Sequence, residues 1–243
     1  MALLLEPIRF LLSLTPLSRC LPRTDHFAPH PTVPFEGYYT RIVTSTNSTI
    51  LLILSSVRSA PAKPHFIHFS HIPAAAHPDL RIDLFPATVR DIPGTRRPSG
   101  FQEFICTADA LGDYHTAEHT QTYSLRLPEP DRHGAVVEVD ITLTQRTPWH
   151  ANDPLSTPEG IFAGLTRLLP LHWNVFSHRS TAHYSIRRDG AVWQSGIGTA
   201  HVEKNWGASF PHGWIWFVFS FTRSLARSPF AGCRALQKQH PSV

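Results

Sequence analysis

From Gly134 to Arg146 the chain reads GAVVEVDITLTQR. Val137, Val139, Ile141 and Leu143 fall on one side of an extended strand, and Glu138, Asp140, Thr142 and Thr144 on the other. A strict period of two predicts a strand with one face on a core and the other on water or a polar cavity. The stretch FEGYYTRIVTSTNSTILLILSSV predicts two more strands, Gly37 to Ser45 and Thr49 to Val57, joined by the turn-forming Thr46-Asn47-Ser48. Three short aromatic or β-branched runs bounded by Pro or Gly, residues 64–72, 79–87 and 100–109, each read as a strand. Asp189-Gly190 lies between two alternating segments and predicts a tight hairpin. Evenly spaced strands with almost no helical period predict an all-β, antiparallel barrel or sandwich.

The densest run of turn formers, TPWHANDPLSTPEG at 147–160, predicts a loop between two modules. The expected organisation is a leader or disordered arm over 1–30, an N-terminal β module over 31–146, that loop, a second β module over 161–217, and a basic tail over 218–243.

Composition narrows the function classes. A hydrophobic share of 42% in 243 residues is enough to build a core, and 16% charged residues with 22 prolines and 16 histidines fit turn-rich β structure better than solvated helices. The net charge of +4 is a modest excess of 22 basic over 18 acidic residues, not a basic block, so a nucleic-acid partner is not expected. Cys20, Cys106 and Cys233 are far apart and in no metal or disulfide spacing, which fits a reducing, intracellular compartment. No apolar run reaches the ~18 to 20 residues that cross a bilayer. The apolar stretch 213–221 is too short, so the expectation is a soluble protein or one peripheral to a membrane. Nothing in the pattern speaks to oligomeric state.

Among candidate chemistries, His65, His68 and His71 are spaced by three and His115 and His119 by four. On a strand, residues three apart point to opposite faces, and no closed four-ligand pattern is present, so no metal site is expected. No nucleophile elbow, phosphate loop or zinc-protease motif occurs, and nothing marks Cys106 as reactive.

The block GTAHVEKNWGASFPHGWIWF at 198–217 is different, because it places His201, Glu203, Lys204 and Asn205 among Trp206, Trp214 and Trp216. Its pattern H-x-E-K-N-W-G-x-x-F-P-x-x-W-x-W resembles the signature of the tocopherol cyclase family. F-E-G-Y-Y at 35–39 resembles that family's early strand motif, with Tyr38 where tryptophan is usual, and P-L-H-W at 170–173 resembles the segment before its central hairpin. The resemblance covers roughly Pro34 to Trp216. It implies a calycin-like architecture of two lipocalin-like halves, related to carotenoid hydratases and fungal pericyclases. It also implies a hydrophobic small-molecule substrate and closure of a chromanol ring by addition of a phenol across a prenyl double bond. No redox cofactor or metal is implied.

The residues fit this chemistry on their own terms. Protonating a trisubstituted alkene needs a well-placed acid in a dry pocket, and the tertiary cation must be shielded until the phenol captures it. Glu203 is the first candidate acid, since burial against Trp206 or Trp214 would raise its pKa, and Glu36 is the second. On a strand His201, Glu203 and Asn205 share one face and Val202, Lys204 and Trp206 the other, so the first three can line a polar wall and relay a proton. Trp206, Trp214, Trp173 and Tyr38 offer π faces to the cation and a grip on a prenyl tail. The same residues also read as architecture, a salt-bridged sheet element under an aromatic lid.

Two features depart from the family. Phe217 stands where a glutamine is common, and residues 218–243 lack alternation and carry Arg223, Arg227, Arg234 and Lys238. The second barrel half is therefore expected to be incomplete. A non-catalytic lipocalin-like binder and an inactive fragment remain as alternatives to a cyclase.

Overall fold

The computed structural model describes residues 26–74, 79–160, 163 and 169–208. Trp214, the stretch 213–221, the tail, Cys20 and Cys233, and most of the expected arm lie outside the described residues.

Eleven strands follow in chain order: β1 (Phe35–Thr44), β2 (Thr49–Val57), β3 (His65–Ile72), β4 (Leu80–Leu84), β5 (Val89–Arg96), β6 (Gln102–Ala108), β7 (Gly112–Thr116), β8 (Gln121–Pro128), β9 (Val136–Thr147), β10 (Leu171–Arg188) and β11 (Ala191–Gly207). They form one sheet in the order β4-β3-β2-β1-β11-β10-β9-β8-β7-β6-β5, antiparallel at every pairing. The fold is all-β and calycin-like, an antiparallel half-barrel, and no α-helix occurs among the described residues. No helix there is long and apolar enough to cross a membrane.

Chain length forces the sheet to curl. β4 and β5 are its two edges, yet only residues 85–88 connect them. That connection spans no more than roughly 18 Å, so the opposite edges of eleven strands must come close together. The inward side is then a shared core, with Ile42, Leu52, Phe69, Phe104, Ile141 and Phe176 at or near zero exposure. The alternation over 134–146 sends Val137, Val139, Ile141 and Leu143 into this core, as expected. Tyr114 and Tyr123 stack 4.5 Å apart inside it, and Thr40 Oγ1 lies 2.5 Å from the Tyr123 hydroxyl. Thr116 and Gln121 both donate to the Tyr114 hydroxyl, so these buried polar groups are hydrogen-bonded to one another.

The Asp189-Gly190 turn has positive φ at both residues, 53° and 81°, which matches the right-handed twist of the strands it joins. The strands β10 and β11 lie between β1 and β9, so the ladder runs unbroken through chain segments on both sides of the 147–160 loop. Three strands were not anticipated. β5 is an edge interrupted by Pro93, where a missing N–H does no harm; β7 has five residues; β8 alternates over all eight of its residues, with Gln121, Tyr123, Leu125 and Leu127 turned inward. Within β3, His68 Nδ1 lies 2.5 Å from Asp83, while His65 and His71 turn to the other face.

Gly112 has φ +114° at the β6–β7 turn, and a Cβ there would lie 2.0 Å from the carbonyl oxygen of Ser124. Gly112→Ala is expected to destabilise the fold by more than about 1 kcal/mol, measured by urea denaturation. An unchanged midpoint would show that the turn relaxes around the methyl group.

Candidate active site

β11 is flanked by β1 on one side and β10 on the other, so its register with both decides which residues can meet. Residues paired across an antiparallel ladder share a face. Glu36 and His172 pair with Trp206, and Tyr38 and Asn174 with Lys204, on the inner face. Tyr39 and Val175 pair with Glu203, Arg41 with His201, and Trp173 with Asn205, on the outer face. The strand therefore sorts the described candidates into two sets. Glu36, Tyr38 and Trp206 lie with Lys204, whereas His201, Glu203, Asn205 and Trp173 lie behind them.

The inner set is a buried ion pair with its supports. Lys204 Nζ, without exposure, lies 3.0 Å from Glu36 Oε1 and 2.9 Å from His30 Nδ1, and donates to the carbonyl of Ala28. The His30 backbone N–H donates to both Glu36 oxygens at 3.0 Å. Arg58 Nη2 stands 3.5 Å from Glu36 and 3.5 Å from Asp91, bridging β1 to the edge strand β5. Trp206 is stacked on one side by His30, with centroids 4.8 Å apart, and on the other by His172 at 5.1 Å. Its indole is thus packed as a core ring, 3% exposed. Tyr38 is also in the core, packed against Phe104, and its hydroxyl has no hydrogen-bond partner among the described residues. The cavity beside it, between Leu54, Arg58, Asp91 and Cys106, has room for about one water molecule.

Burial pushes the Glu36 carboxyl up, but the Lys204 ammonium and the His30 ring pull it down further, to about 2. Glu36 is a carboxylate at neutral pH, with no proton to give. The consequence for stability has a definite sign. Folded Glu36 titrates below its ordinary value of 4.5, so its contribution is complete above pH 4.5 and is lost as the pH falls towards 2. On the order of 3 kcal/mol is expected to disappear across that window. Melting temperature followed against pH should show the loss, and Glu36→Gln should flatten that limb; an equally steep limb in the variant would assign it to other groups.

The outer set has the opposite character. Glu203 has no exposed surface, and both of its hydrogen bonds converge on one oxygen: Trp173 Nε1–H donates to Oε2 at 3.1 Å, and His201 Nε2 lies 3.0 Å from the same atom. Oε1 is buried with no hydrogen-bond partner among the described residues. Burial raises the Glu203 pKa, and the contacts with His201 and Trp173 only partly offset it. Sequence reasoning assigned that burial to Trp206 or Trp214; Trp214 lies outside the described residues, the structure puts Trp206 on the opposite face, and among the described residues the indole in contact is Trp173. Asn205 lies on the same face two residues along, opposite Trp173.

Two further residues of this face were not anticipated. Register shifts in β10 between Val175 and Ser177 and between Ser177 and Ser180 throw His178 outward, where its ring meets His201 edge-on at 5.9 Å. Such bulges re-aim side chains and break the alternation from which a sequence is read. The 147–160 loop is stitched to β10 by Thr157, which donates to the Trp173 carbonyl at 2.7 Å, and by Glu159, which accepts from the Trp173 backbone N–H. It thereby brings Trp149 against Trp173 and His178, at 6.3 and 5.7 Å.

A second relay-like cluster lies on β3 and β4. His68 Nδ1 is 2.5 Å from Asp83 and its Nε2 is 3.2 Å from Ser70 Oγ. β3 is laddered to β2 on one side and β4 on the other through this region, so its backbone N–H groups are committed and offer no oxyanion hole. Cys106 is buried and its thiol pKa is pushed well up by burial and by Asp91, which makes it a core residue rather than a nucleophile.

No protein-family model matches the chain. No curated protein matches its sequence. Among solved structures, CghA crystallised with Sch210972 superposes with a TM-score of 0.52 at 10% identity, over 71% of this chain and 45% of that one. A second CghA crystal structure gives 0.50 at 8% identity, over 74% and 51%. A structure described as an AttH protein from Nitrosomonas europaea gives 0.37 at 12% identity, over 76% and 55%. The chain thus spans about half the length of the CghA structures it matches, and the likeness is one of fold.

Proposed function

We propose that the protein closes a ring on a prenylated phenol, or on a similar isoprenoid or polyketide substrate, by acid catalysis of the tocopherol cyclase type. The observation that carries this reading is Glu203: a fully buried carboxyl with a raised pKa, held through Oε2 by Trp173 and His201, with Oε1 unpartnered among the described residues. A carboxyl whose hold on its proton is strengthened by burial is the group this chemistry requires. In the proposed reaction the Trp173 indole, 38% exposed, swings aside to admit the alkene. Glu203 then gives its proton to the less substituted alkene carbon, and the tertiary cation that forms is captured by the phenol oxygen. The phenolic proton passes to His201 and back to Glu203, so the product is an isomer of the substrate and no proton is consumed. Glu36, the other candidate acid, is left the role of a counter-ion to Lys204.

A second reading is a lipocalin-like binder of a hydrophobic ligand without chemistry. It is supported by the two contacts on Glu203 Oε2, which would serve equally to fix a carboxyl as part of the sheet. Incubation with a dimethyl-phytyl hydroquinone, followed by mass spectrometry and chromatography against the chromanol, separates the two. Chromanol above the uncatalysed background supports the cyclase, and recovery of bound, unchanged hydroquinone supports the binder.

A further inference from the structure

We propose that Trp149, His178 and His201 form a bay on the outer face, beside Glu203, that receives the aromatic head of a neutral phenol, with Trp149 as its specificity-determining residue. The proposal rests on the ring-closure reading for the choice of phenol and adds the residues that would hold it. Trp149 meets His178 at an interplanar angle of 85°, and His178 meets His201 at 84°. Trp149 is further tilted by 58° to Trp173 and stands edge-on to His150. Each of these contacts is edge-on or tilted, none is stacked, and the arrangement makes walls at right angles to one another. Trp206 on the inner face, sandwiched by two imidazoles, shows the contrary arrangement, in which the rings satisfy each other.

A corner of perpendicular rings suits a planar ligand, which can stack on one wall and meet the next edge-on, the two geometries aromatic pairs prefer. His178 is exposed and Trp149 and His201 are half-buried, so the corner opens to solvent. Beside it lies an acceptor that the described residues leave without a donor, Oε1 of the fully buried Glu203. A phenol brings both the planar ring and a hydroxyl for the His201–Glu203 pair, whereas a carboxylate ligand would have to carry its charge against a fully buried group and is disfavoured. Two devices of the fold build the bay: the bulges in β10 that turn His178 outward and the loop that carries Trp149.

The test uses the full chain and 2-prenylphenol as probe, with affinity from calorimetry and ring-proton shifts of His178 and His201 from NMR. Saturable binding that perturbs both rings is expected. Trp149→Ala should weaken it about tenfold, the scale of one lost aromatic contact and its buried area. Trp149→Phe should restore most of the affinity, and Trp193→Phe, at the far end of β11, should leave it unchanged. Absence of saturable binding, an unperturbed His178 ring in the unmodified protein, or equal affinity in Trp149→Ala overturns the proposal. The NMR readout on the unmodified protein holds even where a variant fails to fold. Trp149-dependent binding without ring closure would leave the bay standing and remove the acid role. Ring closure with an unchanged KM in Trp149→Ala would do the reverse.

Discussion

Replacing Lys204 by methionine is expected to remove about 3–5 kcal/mol of folding stability, the cost typical of breaking a buried ion pair from one side. Methionine keeps an unbranched side chain but removes the ammonium, whose Nζ stands 4.7 Å from the Trp206 ring centroid and 5.8 Å from that of Tyr38, so the change deletes these cation–π contacts together with the ion pair. What it leaves behind is Glu36, 1% exposed in its side chain, with Arg58 at 3.5 Å as its remaining close guanidinium or ammonium partner. For a domain stabilised by about 5–15 kcal/mol this is a large fraction of the total. Removing both charges, in Lys204→Met with Glu36→Gln, should recover part of the loss, because two neutral side chains in a packed interior cost less than one orphaned carboxylate. Urea denaturation followed by circular dichroism on the two single variants and the double variant measures the coupling. A loss below 1 kcal/mol in Lys204→Met would mean that His30 and Arg58 suffice to hold Glu36.

Glu203→Gln is expected to abolish ring closure, a fall on the order of 10² to 10⁴-fold for loss of a general acid, while leaving the melting temperature nearly unchanged. Glutamine has the shape of glutamic acid and retains an oxygen to accept from Trp173 Nε1–H, so the sheet loses no contact that the neutral acid makes. It has no proton of comparable acidity to give. Product formation from the prenyl hydroquinone and the thermal melt are read on the same preparation. Equal turnover in the variant takes Glu203 out of the acid role, and a collapsed melt with intact wild-type turnover would recast it as a support of the β10–β11 ladder. Glu36→Gln is the comparison, since a carboxyl that titrates near 2 has a structural effect of its own and no proton to lose at neutral pH.

The strands carried by a strong period of two were legible from the chain alone. The alternation over 134–146, the two strands around Asn47 and the Asp189-Gly190 hairpin depend only on nearest neighbours along the backbone, as a two-residue repeat and a positive-φ turn do. The facing of His201 and Glu203 against Lys204 and Trp206 was legible for the same reason, because parity along one strand is local. Strands β5 and β7 were not, since they have too few inward side chains to show a pattern.

The partners of each face lay beyond the chain's own reach. That Lys204 neutralises Glu36 follows from the pairing of β1 with β11, which joins residues 168 positions apart by a register no local signal encodes. That Trp173, not Trp206, contacts the Glu203 carboxyl follows from the pairing of β10 with β11, and that His178 and Trp149 join it follows from bulges and a loop whose geometry is set by what they pack against. The sequence by itself determined an all-β chain with acid, base and indole groups concentrated on one strand, because side-chain parity is a property of the extended backbone. Only the tertiary structure decided that one of the two candidate acids is an ion-paired carboxylate and the other a buried acid with raised pKa, because a carboxyl's proton affinity depends on which charges and how much water the folded sheet leaves around it.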